Sequence, residues 1–101
     1  MRRVAIVARL KSNAEEQAAE LLENGPPFDL QEKGLQRHVA YLSAGEVVFV
    51  FEGPEVDVVI DDMVGYPFEP ELRAALDRWR PLIEGYPRIA RPVYEWERDA
   101  M

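Results

Sequence analysis

The stretch Leu35 to Gly53 holds two strand-patterned runs around Ala44-Gly45. Apolar side chains separated by a tight turn signal read as a β-hairpin. If Ala44-Gly45 is a two-residue turn, Ser43 pairs with Glu46, Tyr41 with Val48, Val39 with Val50 and Arg37 with Glu52. One face then collects Arg37, Tyr41 and Glu52. The other pairs Leu42 with Val47, Ala40 with Phe49 and His38 with Phe51, and is the more apolar, core-like side.

Each side of the hairpin carries a helical segment and a further strand. Arg3 to Leu10 is a β-branched run that opens the chain as a strand. Ser12 with Glu15 has the spacing of a capping box, which predicts a helix starting near Asn13. Its apolar positions Ala14, Ala18, Leu21 and Leu22 recur at helical spacing, and Gly25-Pro26-Pro27 stops it. After Pro54, residues Val56, Val59, Ile60, Met63 and Val64 repeat as a helix does, until the prolines of Tyr66 to Pro70 intervene. A further helix places Leu72, Ala75, Leu76 and Trp79 on one core-facing stripe and ends or kinks near Pro81. Gly85-Tyr86-Pro87 is expected to turn the chain into a last strand, Arg88 to Glu97. The order β-α-β-β-α-β predicts an α+β, ferredoxin-like fold with a four-stranded antiparallel sheet, in a single domain over residues 1–101.

A sheet with helices on one face and water on the other should alternate apolar and polar residues. The first and third strands do not. Val4, Ile6, Ala8 and Leu10 oppose Ala5 and Val7, and Val47, Phe49 and Phe51 oppose Val48 and Val50. In this topology those strands are the central pair, and Pro92 marks the last strand as an edge. A domain this small has no spare layer, so the cover is expected from a bound ligand or, above all, from a second copy packed sheet on sheet as a two-fold homodimer; β-propensity on a half-exposed sheet, or the split second helical region wrapped around it, explains the same residues.

The layout over residues 3–97 resembles the dimeric α/β-barrel superfamily, which includes antibiotic-biosynthesis-type monooxygenases, muconolactone-isomerase-like proteins and sugar mutarotases. The run His38-Val39-Ala40-Tyr41-Leu42 followed by Val47 to Glu52 is similar to the central hairpin of the rhamnose mutarotases. The resemblance implies a sheet-to-sheet dimer enclosing a pocket. It does not imply mutarotase chemistry, since the first helix holds no histidine, nor haem binding, since the one histidine sits on a strand.

Seven residues are candidates to touch a small molecule. Arg37 and Glu52 suit a polar substrate, and Tyr41 can orient an oxygen; a cross-strand ion pair and a rim tyrosine explain the same residues. His38 alone titrates near neutrality, although beside Phe51 it also reads as a structural residue. Tyr94, Trp96 and Arg9 suit an aromatic and cationic pocket wall, or dimer packing. No metal site is expected: Asp57, Asp61 and Asp62 read as a solvated helix face, and cysteine is absent. No cofactor is expected, and phosphate-loop, nucleophile-elbow and zincin motifs are missing. Nineteen acidic against twelve basic side chains disfavour nucleic acid and anionic membranes. The apolar run Val4 to Ala8, cut by Arg9, is too short for a leader or a span, so a cytoplasmic location is expected. The function expected is binding of a small apolar or aromatic molecule between the sheet and a partner sheet, or, alternatively, a cofactor-independent monooxygenase or isomerase acting on a small organic substrate.

Overall fold

The computed structural model describes residues 2–26, 29–58, 70–96 and 98. Strand β1 (Arg3–Leu10) leads into helix α1 (Glu15–Asn24), and β2 (Arg37–Leu42) and β3 (Glu46–Glu52) form the hairpin. Helix α2 (Pro70–Trp79), a 3-10 turn (Arg80–Leu82) and β4 (Ile83–Ala90) complete the order. The four strands form one antiparallel sheet in the order β2-β3-β1-β4, which puts β1 and β3 at the centre and confirms the α+β architecture. The periodic helical run after Val56 falls on residues 59–69, outside the described residues; only 56–58, at its start, are seen to be helical.

The hairpin register matches the sequence reading pair for pair, from Leu42 opposite Val47 to Arg37 opposite Glu52. The Ser43 N–H donates to the Glu46 carbonyl at 2.9 Å and closes the turn. At the other end, the Gln36 N–H donates to the Glu52 carbonyl at 2.8 Å. Gly53 is needed there because a Cβ would lie 2.8 Å from the Gly34 carbonyl oxygen.

The core forms on the helical side of the sheet. Val4, Ile6, Leu35, Phe51 and Val56 make one buried cluster, and Ala8, Leu10, Ala14, Ala18, Val47 and Leu82 make a second. Val4, Ile6, Ala8, Leu10, Val47 and Phe51 are β1 and β3 positions of one pleat face and Ala18 is on the inner face of α1, as period-2 and period-3.6 patterning require, while Ala14, Leu35, Val56 and Leu82 close the core from outside these elements. Trp79 packs against the second cluster, consistent with its place on the α2 stripe, and α2 ends where Pro81 enters the 3-10 turn.

Two local expectations are corrected. Ser12 makes no cap: α1 starts at Glu15 with Ala14 as its N-cap and no side-chain cap bond. Asn13 adopts a left-handed φ of 65°, and the Ala14 N–H donates to the Lys11 carbonyl, so a backbone turn replaces the extended entry that a capping box needs. The last strand also begins earlier and ends earlier than Arg88 to Glu97. Gly85-Tyr86-Pro87 does not precede it but lies within it, as a bulge. Arg9 pairs with Glu84 and Val7 with Arg88, so the three residues between them face Ala8 alone. Gly85 supplies the positive φ of 69°, and on an edge strand Pro87 gives up no ladder bond that a neighbour needs. Pro92, Tyr94 and Trp96 therefore follow the strand instead of lying in it.

Candidate functional site

A pocket of about 390 Å³ opens between the helical face of the sheet and helices α1 and α2. His38, Ala40, Phe49 and Phe51 form its floor, and Leu22 from α1 and Trp79 from α2 form walls. Small side chains explain the space: Ala8, Ala40 and Ala75 converge there with Gly25, where larger residues would meet. Trp79 packs edge-on against Phe49, ring centres 5.1 Å apart, and fixes one wall.

His38 is the polar feature of the floor. Its ring stacks on Phe51 at 4.4 Å, and its Nδ1 lies 3.0 Å from the Val50 carbonyl oxygen. A carbonyl can only accept, so Nδ1 carries the proton and Nε2 keeps a lone pair. Nε2 has no hydrogen-bond partner among the described residues. Nor is any of their buried side-chain polar atoms left unsatisfied, which keeps Nε2 accessible. Burial lowers the His38 pKa below its ordinary value, with the Val50 hydrogen bond opposing that shift. At neutral pH the imidazole is therefore an uncharged acceptor.

The lowered pKa has a consequence for stability. The unfolded chain takes up a proton near the ordinary value of about 6.5 while the folded chain resists it, so stability is full above that pH and falls as acid drives protonation. His38→Phe should flatten this part of the pH profile. Urea unfolding of both proteins between neutral and mildly acid pH checks it, and an unchanged slope would contradict the burial argument.

The structure separates the other expected site residues from this pocket. Arg37, Tyr41 and Glu52 do share the opposite, open face. Glu52 is buried there: Arg3 Nε donates to its Oε1 at 2.6 Å, and Arg37 Nε stands 3.9 Å from Oε2. Tyr41 is largely exposed. Arg9 lies at the other end of that face, opposite Glu46. Tyr94 and Trp96 are exposed on the segment after β4, which is tied back by an ion pair of 3.4 Å between Glu95 and Arg3. Thus only His38 of the seven lines the pocket. Trp79, Phe49 and Arg78 line it without having been singled out for binding. The legible signal was Ala40 facing Phe49 across the core side of the hairpin.

Among solved structures, the chain is similar to tetracenomycin F2 cyclase from Streptomyces glaucescens, a type-II polyketide cyclase. The TM-score is 0.69 at 16% identity, covering 98% of this chain and 100% of that one. It is also similar to protein Atu4242 from Agrobacterium tumefaciens, with a TM-score of 0.62 at 21% identity over 92% of this chain and 94% of that one. The shared feature is the fold, a small antiparallel α+β sheet of the ferredoxin-like kind. No protein-family model and no curated protein matches the chain.

Proposed function

We propose that this chain binds a small, largely apolar or aromatic molecule in the pocket between its sheet and helices, and does so as a homodimer joined through the open sheet face. The observation that carries the binding reading is the pocket itself. Its volume of about 390 Å³ is in the range of small-molecule sites, and its apolar walls surround one accessible imidazole. The dimer reading rests on the open face, where half-buried Ala5, Val7, Val39, Val48 and Val50 form an apolar stripe. Charged pairs flank it, Arg3 with Glu52 at one end and Arg88 with Glu46 at the other. A second copy supplies the self-complementary cover such a stripe calls for.

Titration with N-phenyl-1-naphthylamine, an uncharged probe that brightens in apolar surroundings, tests the pocket. Saturable binding of one probe per chain is expected, lost in Ala40→Trp and Ala75→Phe, which fill the space. Undiminished binding in folded forms of both variants would place the probe elsewhere and end this reading.

His38 favours a second reading, an enzyme. An uncharged imidazole with a free Nε2 on the pocket floor is placed to take a proton from a bound carbon or oxygen acid and return it at another atom. Such transfer suits an isomerase, or a cyclase such as the Streptomyces glaucescens neighbour. His38→Gln would then abolish turnover while leaving probe binding in place.

A further inference from the structure

Only two ionisable side chains line the pocket among the described residues, His38 on the floor and Arg78 in the last turn of α2. With the imidazole uncharged, the lining carries a single formal charge, and it is positive. Arg78 is also unlike the other arginines near it. Arg80 pairs with Asp77 at 3.3 Å, Arg88 with Glu46 at 3.6 Å and Arg91 with Asp57 at 2.8 Å. Arg78 has no ion pair or hydrogen bond among the described residues.

The chain has nineteen acidic side chains for twelve basic ones, so a shortage of carboxylates does not explain this. A cation at a helix C-terminus does complement the macrodipole. That accounts for the sequence position, but Arg80 follows at once and meets the same need while paired. It does not account for an arginine in the lining of an apolar pocket.

We infer that the pocket's ligand is an aromatic organic anion, with its ring system in the apolar space that His38, Phe49 and Trp79 border and a carboxylate held by the Arg78 guanidinium. This deepens the binding reading above and rests on it. The planar fork of Arg matches a carboxylate through two parallel N–H donors, and it remains charged at every relevant pH. The net charge of −7 does not oppose this at close range, because exposed charges farther away than roughly 8 to 10 Å are screened at physiological salt. The local cation decides the selectivity.

The test compares 2-naphthoate with its uncharged isostere 2-naphthamide, by calorimetric titration of the full chain at slightly alkaline pH and physiological salt. Wild type should bind the acid about tenfold or more tightly than the amide, the scale of a charge-assisted hydrogen-bonded pair. In Arg78→Gln the preference should collapse to within about twofold with amide affinity unchanged, while Arg80→Gln should behave as wild type. Equal binding of the two by wild type, or a preference that survives Arg78→Gln, overturns the anion inference and leaves the pocket reading standing. Binding of neither compound overturns both.

Discussion

Val47→Asp is expected to abolish the folded state, whereas Val48→Asp, one residue along the same strand, is expected to leave the monomer folded and remove the proposed homodimer. Val47 is fully buried at the centre of the sheet, beside Ala8, Leu10, Ala18 and Leu82. An unpaired carboxylate there has neither water nor a cation. Its cost of several kcal/mol is a large part of the roughly 5 to 15 kcal/mol that stabilises a domain of this size. Val48 points the opposite way, between Val7 and Tyr41 on the open face, where water reaches it. Its substitution should cost the isolated chain no more than about 1 kcal/mol. Thermal unfolding by circular dichroism at low protein concentration separates the two variants, and native mass spectrometry reports subunit number. A Val48→Asp protein that remained dimeric would show that the open face is not the contact.

Phe51→Ala is expected to lower stability by about 3 to 5 kcal/mol, the range for truncating a buried aromatic. Phe51 is only 3% exposed, sits in the cluster with Val4, Ile6, Leu35 and Val56, and supports the His38 ring by stacking. The pocket floor should open at the same time. Water admitted beside the imidazole would return the His38 pKa towards its ordinary value, because desolvation is the main cause of its lowering. Urea midpoints and a proton titration of the histidine ring follow the two effects separately. A loss of stability below about 1 kcal/mol would mean that the cluster closes around the gap, contrary to the packing described.

The hairpin was legible because everything that defines it is local. A two-residue turn at Ala44-Gly45 sets the register, and period-2 alternation then assigns every side chain to a face, which is why His38 and Phe51 could be paired from residue order alone. The helices α1 and α2 were legible for the same reason, through apolar spacing and proline stops. Their exact starts were not, since the left-handed Asn13 overrode the Ser12 capping pattern. β4 was misplaced because Gly85-Tyr86-Pro87 has the composition of a turn. Only pairing against β1 makes it a bulge, and that displacement moved Tyr94 and Trp96 off the sheet.

The site shows the same division. Residue types marked His38 as the group able to move a proton near neutral pH, and alternation placed it on the core side. What surrounds it depends on distances between segments far apart in the chain. Alanines from β1, β2 and α2 leave a space that the rings of Phe49, Phe51 and Trp79 border without filling. The sequence by itself determined the order of elements, the hairpin register and the two faces of the sheet, since each follows from short-range periodicity. Only the tertiary structure decided that the core-facing side holds a pocket, that Arg78 reaches it, and that Glu52 is held between two arginines on the opposite face, because unfilled volume and charge pairing are set by how separate elements pack.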